Sequence, residues 1–193
     1  TVGSDGSTSP ITPSNLMAAG QTTALVPVKS FAGTTFNVTG FTASGNALVF
    51  QYGIGSASIT GNADGTMTMQ VPPDDPLQSI SNAMPLVFSS CNVLDRPTSF
   101  AVTRGKDSMT INNINPALNT GHVAAEMSIL RYMVSAYVIG TTTAGEQGLY
   151  RIQLGDDNTW QSPQLLLPGI TAMNISYGYV GNCAPSGAAA SDI

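Results

Sequence analysis

The stretch "ILRYMVSAYVIGTTTAGEQGLYRIQL", Ile129 to Leu154, decides how the chain is read. Leu130, Tyr132, Val134, Ala136 and Val138 alternate with Ile129, Arg131, Met133, Ser135 and Tyr137. That period of two belongs to a strand with one apolar face. "TTTAGEQG" is polar and Gly-containing, so it connects. "LYRIQL" resumes the alternation, with Tyr150, Ile152 and Leu154 inward and Arg151 and Gln153 outward. Two long strands joined by a short turn make an antiparallel pair.

The same period recurs on both sides of this pair. "TTFNVTGF" (34–41) alternates Phe36 and Val38 with polar neighbours. "NALVFQYGIG" (46–55) is a compact apolar run, with Leu48, Phe50 and Tyr52 on one face. "GTMTMQVP" (65–72) sets Met67, Met69 and Val71 against Thr66, Thr68 and Gln70. Gly45-Asn46 and Asp64-Gly65 read as turns between these runs. "AMPLVFSSC", "TSFAVTRG" and "DSMTINNI" follow as further strands, the last two parted by a Gly105-Lys106-Asp107 turn. "NINPALNTGHVA" (113–124) reads as a loop. "SPQLLLPGI" leads to an expected last strand, "TAMNISYGYV" (171–180). One helical turn is expected within residues 15–26, before Pro27. The expected fold is mainly β: two packed antiparallel sheets, or one long bent sheet, in a single domain over residues 16–183. Residues 1–15 are expected as a flexible lead-in or the remnant of something removed in front, and residues 184–193 as a flexible tail.

Composition narrows the function. Only 9% of the 193 residues are charged, against roughly 25% in an average soluble domain. Ser, Thr, Asn and Gln take their place, which suits a protein outside the cytoplasm. The net charge is −5. Lys29, Arg96, Arg104, Lys106, Arg131 and Arg151 form no run, so the basic stripe that nucleic acid requires is missing. An anionic membrane surface is disfavoured for the same reason. No stretch reaches the ~18 apolar residues of a membrane span.

Few residues offer chemistry. His122 is the single histidine, and a Ser–His–Asp hydrolase would have to use it; no G-x-S-x-G elbow is present. Asp74-Asp75 and Asp156-Asp157 are adjacent pairs beside Pro or Gly, where Asp serves the backbone of a turn rather than flanking a scissile bond. "GDDNTW" (155–160) collects hard oxygen donors in Asp156, Asp157 and Asn158, but its spacing fits no EF-hand calcium loop. No cofactor motif occurs: "YGIGSASITG" is Gly-rich but is not followed by a helix. Asn37-Val38-Thr39 and Asn174-Ile175-Ser176 are sequons that matter only in a eukaryotic secretory pathway. Tyr132, Tyr137, Tyr150, Tyr177 and Tyr179 would stack on sugars only if exposed; packing within the fold is the plainer expectation.

The order of segments in the second half resembles the type IV pilus assembly protein W (PilW) family of minor pilins, and the related minor pseudopilin J of type II secretion. The resemblance spans about residues 44–180. It rests on Arg131 and Tyr132 in a long strand, then Leu149, Tyr150 and Arg151. After these come Leu166, Leu167, Gly169 and Ile170, and then Tyr177-Gly178. Upstream, "SGNALVFQYG" (44–53) and "PLVFSSCNVLDRPTSFAVT" (85–103) are similar to family strands, with Asn46 where an acidic residue is usual. The resemblance implies an antiparallel pilin head domain in which Arg131, Tyr132, Leu149, Tyr150, Arg151, Gly169, Ile170 and Tyr177 are scaffold. It implies no enzymatic activity, no cofactor and no metal. The implied partners are other minor and major pilins. Such pilins carry an apolar N-terminal helix that anchors them in the inner membrane before assembly and packs into the fibre; the polar start at Thr1 is what a chain without that helix would show. The implied location is the periplasmic face of the inner membrane, then the pilus at the cell surface. A β-rich adhesin or carbohydrate-binding module is the alternative, and a hydrolase is a more distant one.

Cys91 and Cys183 are the two cysteines, and in an oxidising compartment they are expected to pair. Closing so long a loop would stabilise the fold by ~4–5 kcal/mol in the chain-entropy model. Alkylation of native material under denaturing, non-reducing conditions, read by mass, is expected to label neither cysteine. Labelling of both would show free thiols.

Overall fold

A computed structural model describes residues 2–4, 16, 27–32, 36–63, 66–89, 94–97, 99–105, 108–115 and 127–176. Cys91, Cys183, His122, Tyr177, Tyr179, Lys106 and the expected helical turn beyond Leu16 lie outside them.

The chain is mainly β, and its strands join in one open sheet rather than two. In chain order they are β1 (Val2–Ser4), β2 (Val28–Ala32), β3 (Asn37–Val38), β4 (Phe41–Ala63), β5 (Thr66–Gln70), β6 (Leu86–Ser89), β7 (Leu94–Asp95), β8 (Ser99–Arg104), β9 (Met109–Asn115), β10 (Ser128–Thr142), β11 (Gln147–Gln153) and β12 (Gln164–Pro168). The main path runs β12-β11-β10-β4-β5-β9-β8. The β10–β11 hairpin has the expected alternation, with Tyr150, Ile152 and Leu154 buried.

The antiparallel pair β4–β10 is the spine, running from Thr142↔Phe41 to Ser128↔Ser58. β2, β3 and β11 flank one end of it. β5 and β6 flank the other.

Gly45-Asn46 is not a turn. β4 passes through it without a break. Between the pairs Ser44↔Ile139 and Leu48↔Tyr137, β4 advances four residues while β10 advances two. Gly45, at φ 69°, sits in that irregularity. The left-handed conformation that signals a hairpin turn also serves a bulge, and here the bulge wins. A second bulge lies at Gly55, at φ 110°. There β4 advances three residues, Ile54 to Ala57, while β10 advances two.

The two bulges differ in effect. An insertion of two leaves side-chain parity unchanged; an insertion of one exchanges the faces. Ala43, Ala47 and Val49 therefore point into one core with Phe41, Tyr132, Val134, Ala136, Val138, Tyr150 and Ile152. Beyond Gly55, Ile59 points to the opposite face. It joins a second core with Met67, Met69, Leu77, Leu86, Phe88, Met109, Ile111 and Ile129. β6 shows the same division: Val87 belongs to the first core, Leu86 and Phe88 to the second. Each half of the sheet thus hides a different face.

A 3-10 turn, Pro76–Ser79, seats on the Gly55 bulge. Asp75 caps it, its Oδ1 accepting from Leu77 N–H at 2.8 Å. A Cβ at residue 55 would come within 2.8 Å of the Leu77 side chain.

The expected last strand, residues 171–180, is described only as far as Ser176. Residues 171–176 form no strand, and the edge of the sheet is instead β12. Leu167 pairs with Leu149 and Leu165 with Tyr150. After Pro168 the chain turns through Gly169 (φ 73°) and leaves the edge, because Pro has no N–H for a ladder and the left-handed residue redirects the backbone.

Candidate binding surface

The residues singled out in the sequence fall into three places. The first is the centre of the spine. The Tyr132 hydroxyl donates to Gln51 Oε1 at 2.5 Å, and both residues are buried. The Arg96 guanidinium lies 5.7 Å from the Tyr132 ring centroid. Its Nη2 donates to Asn158 Oδ1 in the turn after β11. On the other side of β10, Arg131 Nη2 forms an ion pair with Asp156 Oδ1. Asp157 Oδ1 accepts from the Thr159 hydroxyl at 2.7 Å and from its N–H at 3.1 Å, which holds the carboxyl below the usual carboxylate range. The "GDDNTW" oxygens are therefore engaged by two guanidiniums and a threonine. The loop works as a clasp between β10, β11 and residues 94–97. Asp75 is a turn cap, as the sequence suggests for such pairs.

The second place is the first core. The Tyr150 hydroxyl donates to the Glu146 carbonyl at 2.7 Å, and its ring meets Phe41 edge-on at 4.9 Å. Trp160 packs on Phe36 at 5.0 Å. Of the aromatics that a sugar site would expose, Tyr132 and Tyr150 are buried, while Trp160 is half-buried against the core.

The third place is the outer face of β4, β10 and β11. Ala47, Val49 and Gln51 take the core side of β4. Leu48, Phe50 and Tyr52, the apolar face seen in the sequence, are turned the other way. With Ser135, Tyr137, Leu149 and Met173 they line an open groove of about 540 Å³. Phe50 and Tyr137 meet edge-to-face at 5.6 Å and 87°. Tyr52 remains 41% exposed. The sequence shows the apolar character of this run but not its direction, since Ala47/Val49 and Leu48/Phe50 both alternate acceptably. The deciding residue is Gln51, a polar side chain buried because Tyr132 needs an acceptor.

At the end of this face lies β12. Arg151, half-buried on β11, donates from Nη2 to Gln164 Oε1 at 2.6 Å. The Gly169 N–H donates to the Gln147 carbonyl at 2.9 Å. Leu166 is 38%, Leu167 52% and Ile170 36% exposed. The opposite edge is guarded: Asn82 Oδ1 accepts from Val102 N–H at 2.9 Å, and Arg104 donates to the Gln78 and Ile80 carbonyls.

No family model, no curated protein and no solved structure matches the chain.

Burial raises the Tyr132 phenol above its ordinary value, with Arg96 opposing the shift. The folded protein keeps this phenol neutral where an unfolded chain would ionise it. The associated stabilisation is complete below about pH 10 and declines as pH rises from there toward the raised value, by at most ~1.4 kcal/mol per pH unit. Denaturant melts of the wild type are expected to show this alkaline decline. Tyr132→Phe is expected to lose its share of it, while costing ~1 kcal/mol at neutral pH through the lost hydrogen bond to Gln51 Oε1. Equal alkaline slopes in the two proteins would refute the assignment.

Proposed function

We propose that this chain is the head domain of a minor pilin. It helps prime assembly of a type IV pilus with other minor and major pilins and sits at or near the fibre tip. It works from the periplasmic face of the inner membrane and then from the cell surface, and it acts by contact rather than by turnover. The observation that carries this reading is the exposure of Leu166, Leu167 and Ile170 at the sheet edge. They are positions on which the resemblance to the PilW family rests, and a scaffold role alone gives no reason to leave three large aliphatic side chains in water. The surroundings suit a protein contact. No Asp, Glu, Lys or Arg occurs from Asn158 to Ser176, so no charge has to be stripped of water when a partner docks. The Leu166 bulge and Pro168 blunt the backbone edge, which limits indiscriminate strand pairing while leaving the side chains available.

A β-rich adhesin or carbohydrate-binding module is the second reading. Tyr52 and Tyr137 in the outer groove favour it, since aromatic side chains beside an open groove are what such modules use.

Leu167→Ser tests the first reading, because a half-exposed leucine can change without disturbing the core. Co-purification with the pilins of the organism that carries it is expected to fall about tenfold, on the ~25 cal/mol per Å² scale of apolar burial. Far-UV circular dichroism should stay unchanged, and surface pili should be fewer in the mutant strain. Unchanged capture together with normal piliation after deletion of the whole gene would remove the pilin reading.

A further inference from the structure

We propose that the outer groove of β4, β10 and β11 is a binding site for an uncharged, flat, apolar small molecule, an aromatic ring system. The inference is independent of the pilin reading and uses a different surface from the β12 edge.

Four observations select this ligand class. Every lining residue is neutral: Leu48, Phe50, Tyr52, Ser135, Tyr137, Leu149 and Met173. A charged group placed here would lose water and gain no counter-ion. The volume, about 540 Å³, falls inside the ~300–1,000 Å³ range of small-molecule sites. The aromatic geometry is incomplete. Phe50 and Tyr137 already form an edge-to-face pair, and Tyr52 stands beside them on β4 with 41% of its surface in solvent. A flat ring bound here would meet aromatic faces and edges rather than charges, the contacts aromatic rings favour. The Met173 thioether supplies a polarizable wall to the same space. Finally, the hydroxyls of Tyr52 and Tyr137 bond to no described residue, so each is available to orient one polar atom of the ligand.

The walls are also rigid. Leu48 and Phe50 lie where β4 is paired on both sides, with β2 and with β10. Tyr137 lies where β10 is paired with β4 and with β11. A pocket built on paired strands needs little ordering when it binds. The Ser135 Oγ accepts from Gln153 Nε2 at 3.4 Å, which ties this wall to β11.

The test is a fluorescence titration with N-phenyl-1-naphthylamine, a neutral aromatic probe, without lipid present. Saturable binding at one probe per chain is expected, with a blue-shifted emission. Tyr52→Ala is expected to weaken it about tenfold, the scale of a lost aromatic contact plus its buried area. Tyr52 is exposed, so this variant should keep the wild-type circular dichroism and melting temperature. Tyr137→Ala should weaken binding further. Leu167→Ser, at the β12 edge, should bind the probe like wild type. Absence of saturable binding would overturn the proposal. So would equal binding by Tyr52→Ala, or loss of binding in Leu167→Ser, which would move the apolar site to the edge. Neither result bears on pilin capture, so failure here and failure of the pilin reading are separately visible.

Discussion

Everything in this structure hangs on the pairing of β4 with β10. β4 has 23 residues and no charged side chain. β10 has 15 residues. Each is long enough to meet different neighbours at its two ends, so one ladder organises both cores. Their shared centre is pinned by a buried hydrogen bond from Tyr132 to Gln51. A hydrogen bond between a buried phenol and a buried amide favours one register, because a slip by one residue would turn Tyr132 to the other face and break it. The Gly55 bulge then exchanges the faces. It sends Ile59 to the side opposite Val49, so the sheet needs covering on one face at one end and on the other face at the other end.

This exchange explains what the surface offers. Where the first core takes Ala47, Val49 and Gln51, the reverse face of the same strand presents Leu48, Phe50 and Tyr52. In the second half the reverse face carries a polar row instead: Gln70, Ser58, Ser128 and Ser89 follow one another across neighbouring strands. An apolar reverse face in one half and a polar one in the other is hard to attribute to packing needs alone. It sets the groove apart as a place where something else makes contact. The two arginine ties to the 155–160 turn, from Arg96 and Arg131, hold the end of β11 against the spine and so steady the strand that leads to β12.

Much of this was legible in the sequence because the alternation in β10 and β11 is strong on one face. Tyr132, Val134, Ala136 and Val138 could point only one way, and they do. The β8–β9 hairpin and the Asp75 turn were equally plain. Three features were not. Gly45-Asn46 carries the same signal whether it ends a strand or bulges within one, and only the unbroken partner β10 decides. "NALVFQY" is apolar on both faces, so its direction depends on a distant tyrosine. The alternation of Met173 and Ile175 suggests a last strand over "TAMNISYGYV", but its described part, 171–176, forms none; Leu165 and Leu167 pair with Tyr150 and Leu149 instead, and Pro168 with Gly169 ends that ladder. The groove was visible only as residues, since its walls come from strands about 85 residues apart in sequence, a separation that local pattern cannot bridge.

Native-state hydrogen exchange tests the central role of the β4–β10 ladder most directly. Amides of β4 from Val49 to Ile54 and of β10 from Tyr132 to Ala136 should be the slowest in the protein. They should open only with global unfolding, while amides in β8 and β12 exchange through smaller openings. If Met67 and Ile111 in the second core were instead as slow as or slower than the spine, and opened independently of it, the two halves would be separate folding units and the ladder would not be what joins them.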